Sequence, residues 1–264
     1  MTGTAMLTIL IIAAFIFTVV IVIIRAVDSQ NGIPSNRPYH YGGRVLTKGE
    51  AGEYWVSKVL GETVPGVRYV INDLTAVTVN GKTFQIDHVL IDERGILVIE
   101  TKNFEGNIYG DETQQEWAQY CGQRVRYFQN PVWQNQVHVS KLEKLLGDGV
   151  PLASVIVFVR GNITHVKASN VYNFAGFKQI LEAPSADTFL PPEKREEVYQ
   201  FLMTYKQNEV MNKLAHQQSI ERRNTLLANG KCPRCGSDLR LLQGQNGTFW
   251  GCSSYPNCNF TKRV

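Results

Sequence analysis

Thr83-Phe84-Gln85-Ile86-Asp87-His88-Val89-Leu90-Ile91-Asp92-Glu93-Arg94-Gly95-Ile96-Leu97-Val98-Ile99-Glu100-Thr101-Lys102 is the stretch of this 264-residue chain on which the reading turns. Phe84 to Ile91 and Ile96 to Thr101 are rich in Ile, Val and Leu, and Asp92-Glu93-Arg94-Gly95 is a turn signal between them. The pattern predicts a β-hairpin. With the turn on those four residues, Ile91 faces Ile96, Asp87 faces Glu100 and Gln85 faces Lys102. Side chains two apart on a strand share a face, so Glu100 and Lys102 both border Asp87. Two carboxylates and an ammonium then meet on one patch of a mostly apolar sheet. Burying such charges is costly unless something pairs with them, and a divalent metal is the natural candidate.

That constellation has a chemical use. Two carboxylates hold Mg²⁺ or Mn²⁺, which polarises a phosphate and acidifies a bound water, while a neighbouring lysine orients that water or offsets transition-state charge. An acid, twelve residues and then E-x-K resembles the core of the PD-(D/E)xK nucleases. Asp87 here follows Ile86, where the broader pattern has proline. The plain alternative is a surface hairpin carrying an ordinary Glu–Lys pair. Placement amid Ile-Leu-Val-Ile argues against a solvated face.

Lys48-Gly49-Glu50-Ala51-Gly52-Glu53 precedes the hairpin, and Asn130-Pro131-Val132-Trp133-Gln134 follows it. The order G-x-x-G-E, I-D-H, E-T-K-N and N-P-x-x-Q resembles the nuclease-related domain family over about residues 45–160. The resemblance implies an α/β fold with a restriction-endonuclease-like core. It also implies Glu53, Asp87, Glu100 and Lys102 as the site, with Gln134 as an accessory. Helix, antiparallel hairpins, helix and then the apolar run Ala153–Val159 suit that core, the last as a strand buried on both faces. Asn80-Gly81 is a hairpin turn signal ahead of the deciding stretch.

The accessory residues have second readings. Thr47 and Glu50 form a capping box, so Glu50 is a cap before it is a catalyst. Glu53 borders the buried face of the same helix and reads equally as a metal ligand or a solvated glutamate. Gln134, His138 and Lys141 share one helical stripe, which faces either a phosphate or water. His88 points away from Asp87, as a core or hydrogen-bonded histidine.

Residues 7–24 are eighteen residues with two threonines as the only polar groups. As a helix they span about 27 Å, enough to cross a bilayer. No basic side chain precedes the run and no small-x-small site follows it, which disfavours a cleaved signal peptide. Arg25, Arg37, Arg44 and Lys48 all follow it, so the positive-inside bias puts the bulk of the chain in the cytoplasm. The expectation is a bacterial inner-membrane protein with one N-terminal helix in residues 1–27 and a flexible tether over 28–43. The nuclease-like domain then spans 44–192, and a helical spacer 193–229 leads to a zinc finger over 230–264.

Cys232, Cys235, Cys252 and Cys258 give C-x₂-C-x₁₆-C-x₅-C, two thiolate pairs suited to tetrahedral Zn²⁺ in a segment too small to fold without metal. Disulfides are the alternative, disfavoured by the paired knuckles and the expected cytoplasmic side. Phe249-Trp250-Gly251-Cys252-Ser253-Ser254-Tyr255-Pro256-Asn257-Cys258 resembles the four-cysteine finger of type IA topoisomerases, which implies binding of single-stranded DNA. Lys231, Arg234, Arg240, Lys262 and Arg263 against Asp238 give residues 230–264 the whole of the chain's formal net charge of +4. That basic excess sits beside aromatic rings able to stack on bases. Cys121 has no partner motif and reads as a free thiol. The chain has no internal repeat and no phosphate-binding glycine loop.

Metal-dependent hydrolysis of DNA is therefore the expected function, with RNA an open alternative substrate. A membrane-tethered DNA-binding scaffold without catalysis is the competing class. The intact Asp87, Glu100 and Lys102 set favours the enzyme.

Overall fold

The computed structural model describes residues 39–78, 81–184, 189–244 and 247–263. The apolar run at 7–24, the tether up to residue 38 and Asn80 lie outside the described residues. Among the described residues no helix is long and apolar enough to cross a membrane. In chain order the elements begin β1 (His40–Tyr41), β2 (Arg44–Val45), α1 (Lys48–Leu60), β3 (Tyr69–Val77), β4 (Thr83–Asp92) and β5 (Gly95–Asp111). Then come β6 (Glu116–Cys121), β7 (Arg124–Gln129), α2 (Pro131–Leu146), β8 (Leu152–Lys167), β9 (Val171–Asn173) and α3 (Phe174–Glu182). The chain continues through α4 (Pro192–Gln207), α5 (Glu209–Ala228), β10 (Leu239–Gly244), β11 (Gly247–Cys252) and β12 (Thr261–Arg263). The fold is mixed α/β: β3 to β7 lie in sequence order in one sheet, with β8 paired to β5 and β9 to β8.

The deciding hairpin has the register its turn dictates. Ile91 pairs with Ile96, and the ladder continues to His88 and Ile99. Gly95 takes φ of +116°, and a Cβ there would stand 2.4 Å from the Pro151 carbonyl, so the turn requires glycine. Asp92 accepts from the Arg94 backbone and guanidinium, which closes the turn. Thr47 and Glu50 make the expected reciprocal cap of α1, at 3.3 and 2.8 Å.

The chain forms two compact units. One comprises residues up to Leu60, Thr101–Val132 and Ile156–Pro184. Its core is Ile108, Trp117, Ile156 and Phe158, all buried. Trp117 lies flat against Gly110, where a Cβ would come within 2.2 Å of the indole, and its Nε1 donates to the Asp111 carbonyl at 2.9 Å. The other comprises Gly61–Glu100, Trp133–Val155 and the chain beyond Pro184. Its core joins Ile71, Leu74, Ile86, Val89, Ile91 and Val98 of the strands to Val139 and Leu142 of α2 and Val198 and Leu202 of α4. Each such side chain contributes about 1.5–3 kcal/mol over exposure. Arg195, also buried, donates to the carbonyls of Leu190, Gly66 and Val67.

Four features depart from the sequence expectation. The second strand of the hairpin does not stop at Thr101 but runs to Asp111, its later turns carried by Phe104 and Ile108 among polar neighbours. The β6–β7 hairpin had no apolar run to announce it. The strand expected over 153–159 extends to Lys167. The end of the tether is a small hairpin, β1–β2, turning on Gly42 and Gly43 at φ of +58° and +78°. Separately, Val198 and Leu202 of α4 are buried, whereas Phe201 is exposed.

Candidate active site and zinc centre

Asp87 sits where β4 loses its regular partners. On one side the ladder to β5 ends at His88 and Ile99, one residue short of Asp87 and Glu100. On the other, the ladder to β3 pairs Asn72 with His88 and Leu74 with Ile86, passing over Asp73 and Asp87. Asp73 is the one non-glycine residue among those described with positive φ, at 54°. Its carboxylate accepts from Gln85 at 2.8 Å and its carbonyl from Lys206 at 2.9 Å. A left-handed aspartate is a strained conformation that persists where the surroundings hold it. Here it lies on the strand beside the half-buried Asp87.

Glu100 is buried at 4 % exposure. Gln134 of α2 donates its amide to Glu100 Oε1 at 2.7 Å, and His138 Nε2 stands 3.8 Å from Oε2. Two members of the helical stripe thus face this carboxylate. For Gln134 the family resemblance alone implies a role, as an accessory. Asn135, which the sequence reading missed, is buried and donates to the carbonyls of Val98 and Val155 and to Ser154. It pins α2 to the strand that presents Glu100. The available signal was an asparagine on the apolar stripe with Val139 and Leu142. His88 is buried on the other face, with Nδ1 2.7 Å from Asn72 Oδ1, and burial pushes its pKa down to about 3.

In the first unit Lys102 lies half-buried in β5 and Glu53 half-buried in α1. Gly52 lets α1 approach that strand: a Cβ there would stand 2.7 Å from Asn103 Cβ and 3.3 Å from Thr101 Cγ2. Asn103 donates to the Lys48 carbonyl at 2.6 Å. Asn130, quoted in the N-P-x-x-Q stretch without a role, donates to the carbonyls of Asp111, Glu112 and Gln114, and its Oδ1 accepts from Val132 N–H at the start of α2. The N-P-x-x-Q stretch therefore divides its labour. Asn130 fixes a loop, Pro131 opens the helix and Gln134 meets Glu100.

The four C-terminal cysteines are free thiols whose sulfurs lie within 4.8 Å of one another. Cys232 and Cys258 are 3.7 Å apart at Sγ, and Cys235 and Cys252 are 3.3 Å apart. About 3.8 Å is what a tetrahedron with Zn–S bonds of about 2.3 Å requires. Soft thiolates at that spacing fit zinc. Hydrogen bonds from Ser237 hold the Cys235 thiol down at about 6, and burial pushes Cys252 up to about 12. The tetrad is the only group of three or more His, Cys, Asp or Glu donors so gathered among the described residues. Around it, Gly236 N–H donates to the Cys232 carbonyl at 2.8 Å, Lys231 pairs with Asp238, and Arg234 bonds Asn259. Phe260 and Leu239 pack on the cysteines, while Tyr255 is 76 % exposed.

Residues 48–159 match the nuclease-related domain, and residues 229–264 match the topoisomerase DNA-binding C4 zinc finger. An uncharacterized protein of Bacillus anthracis is 34 % identical over 162 residues, 59 % of this chain and 76 % of that protein. The chain belongs to the nuclease-related domain family. The matched span runs from the start of α1 into β8, so it takes in Glu53, Asp87, Glu100, Lys102 and Gln134 together. Outside it, the plasmid DNA topoisomerase I of Xylella fastidiosa is 57 % identical over 30 residues, 11 % of this chain and 4 % of the topoisomerase. DNA topoisomerase 1 of Methanocaldococcus jannaschii gives the same figures. No solved structure matches the chain. This nuclease-related protein therefore joins a nuclease-like domain to a zinc finger of the DNA-binding type.

Proposed function

We propose that the protein is a membrane-anchored, divalent-metal-dependent nuclease that hydrolyses DNA, guided by a zinc finger that binds single strands. The observation that carries the catalytic part is Glu100: a carboxylate buried at 4 % exposure, oriented by the neutral Gln134 amide, on the strand next to Asp87 where regular pairing ends. Hard carboxylate oxygens held at such a break in the ladder fit Mg²⁺ or Mn²⁺, with Asp87 and Glu100 as ligands. When bound, the metal supplies charge to polarise a phosphodiester and acidity to a coordinated water. Gln134 fixes the rotation of Glu100, and the family motif assigns Lys102 to orient the attacking water and Glu53 to complete the acidic set. Zinc on the four cysteines folds the finger, whose basic side chains and exposed Tyr255 suit an unpaired strand.

The anchor is residues 7–24, uncharged and long enough for a bilayer, with the basic residues that follow it placing the domains in the cytoplasm of a bacterial cell. The decisive assay incubates the full chain in detergent with single-stranded, linear duplex and supercoiled DNA and with RNA, with and without Mg²⁺. Asp87→Ala and Lys102→Ala are run alongside. Expected is metal-dependent DNA cleavage reduced at least about 100-fold in both variants. Absence of cleavage in the parent, with DNA binding intact, would leave a tethered scaffold.

A further inference from the structure

The stripe on α2 does not end at Glu100. One turn beyond His138, Lys141 lies half-buried with its ammonium 5.1 Å above the ring of Phe84, which is buried on β4, and the His138 imidazole stacks on that same ring at 6.3 Å. Lys82 comes just before β4 and is exposed. Its charge is close enough to lower the Lys141 pKa further, after burial has already done so. His216 of α5 places Nδ1 3.1 Å from Thr83 Oγ1, and its own pKa is lowered by burial and then by Lys141. Helix, strand and second helix thus gather Lys82, Lys141 and His216 around Thr83 and Phe84, with Lys141 close enough to interact electrostatically with each of the other two. Among the described residues no carboxylate forms an ion pair with any of the three. Gathering two ammonium groups, one of them partly desolvated over an aromatic ring, beside an imidazole is unfavourable unless an anion completes the group.

We infer that Lys82, Lys141 and His216 form a phosphate-binding subsite that holds a backbone phosphate of a nucleic-acid strand one or two nucleotides away from the Glu100 carboxylate. The stripe supplies the direction: Gln134 and His138 at the carboxylate, Lys141 one turn further. An α-helical turn rises about 5.4 Å, comparable to the spacing of successive phosphates along a strand. Lysines serve as point charges for such a group, and Thr83 orients the imidazole. The subsite rests on the nuclease reading for the identity of its strand, but its test needs no turnover.

Lysine acylation followed by mass spectrometry, on the full chain in detergent without added Mg²⁺, reads each lysine separately. Lys194, paired with Glu197 at 2.8 Å, is the internal reference, and Lys231 and Lys262 report on the zinc finger. A single-stranded 15-mer is expected to slow acylation of Lys82 and Lys141 at least five-fold, with Lys194 unchanged. Millimolar inorganic phosphate should give less than half that protection. Equal protection by phosphate would overturn the strand assignment in favour of a small anion. Protection confined to Lys231 and Lys262 would overturn the subsite while leaving DNA binding by the finger, and protection nowhere would overturn both. Salt dependence supplies the second readout, because each lost phosphate contact lowers the slope of log K against log salt by about 0.7 on single strands. Lys141→Gln should show that drop and Lys141→Arg should not. Cleavage that fails while protection holds would sink the nuclease reading alone.

Discussion

The zinc finger and the Glu100 neighbourhood solve the same problem, gathering polar donors in one place, by opposite means. In the finger all four donors belong to a 27-residue stretch and their neighbours are few: Leu239 and Phe260 are the hydrophobic residues packed against the buried cysteines. The metal must supply the cohesion. Around Glu100 the donors come from a strand and a helix 34 residues apart in sequence, and the apolar core of β3, β4, β5 and α2 holds them. On the nuclease reading proposed above, a divalent metal bound there would come and go without unfolding the site. The difference predicts opposite responses to losing the metal.

Zinc removal is the largest effect expected. Structural zinc contributes on the order of 10 kcal/mol to such small units, so a strong chelator, or Cys232→Ser, should unfold residues 230–264 and abolish finger-dependent binding of single strands. The β3–β5 core should keep its thermal transition, and removing Mg²⁺ should shift that transition by no more than a few degrees. Both are read by calorimetry beside DNA-binding anisotropy. Loss of the core transition on zinc chelation would end the comparison. Because thiols must lose protons to bind, zinc affinity should also fall as pH is lowered, most steeply through the range where free thiols would otherwise be protonated.

Next comes the strut beneath Glu100. Asn135→Ala removes the donor shared by the Val98 and Val155 carbonyls and the Ser154 hydroxyl, at a cost of about 2–4 kcal/mol. If the core alone positions Glu100, stability should fall that far and metal-dependent cleavage should fall with it. A stability loss below about 1 kcal/mol would show that Asn135 is not the strut described.

The finger was legible because its chemistry is written in spacing: two short cysteine knuckles admit few geometries. The hairpin was legible too, since Asp92-Glu93-Arg94-Gly95 fixes a register and a register fixes every facing pair. What escaped was whatever depends on contacts between distant elements. Asn130 is marked only as part of a motif and Asn135 looks like an ordinary polar residue in sequence, yet the work of both is to satisfy carbonyls on other elements. The β6–β7 hairpin has only Trp117 and Phe128 facing the core, too little periodic signal to compete with its polar positions. The left-handed Asp73 has no sequence signature, for strain belongs to the assembled sheet.

His88 gives a pH-dependent test of that core. Burial depresses its pKa to about 3, below the value near 6.5 of an unfolded histidine. Between those values the unfolded chain binds a proton that the folded chain refuses. The stability is therefore complete above pH 6.5 and is lost as pH falls toward 3, by up to about 1.4 kcal/mol per unit. Denaturant unfolding without added divalent cation should show a shallower acid dependence in His88→Gln by that slope. An unchanged slope would mean that His88 is not held neutral, and the finger, which lacks such a group, should show no corresponding term.

The smallest effect separates packing from catalysis in the first unit. Gly52 belongs to the G-x-x-G-E stretch that accompanies Glu53, and two forces oppose each other there. Alanine in a helix interior gains about 1 kcal/mol over glycine. Its Cβ, however, would meet Asn103 Cβ at 2.7 Å, an atom tied to the backbone of β5 and unable to swing aside, and overpacking of this kind costs about 1–3 kcal/mol. The clash should win narrowly, leaving Gly52→Ala less stable by about 1 kcal/mol by denaturant titration. A separate readout comes from Asn103, whose 2.6 Å bond to the Lys48 carbonyl must lengthen if α1 is pushed away, so amide exchange in the first turns of α1 should accelerate. A stabilised variant with unchanged exchange would mean that the helix does not approach the strand as closely as the glycine allows. The motif's glycine would then need an explanation other than packing.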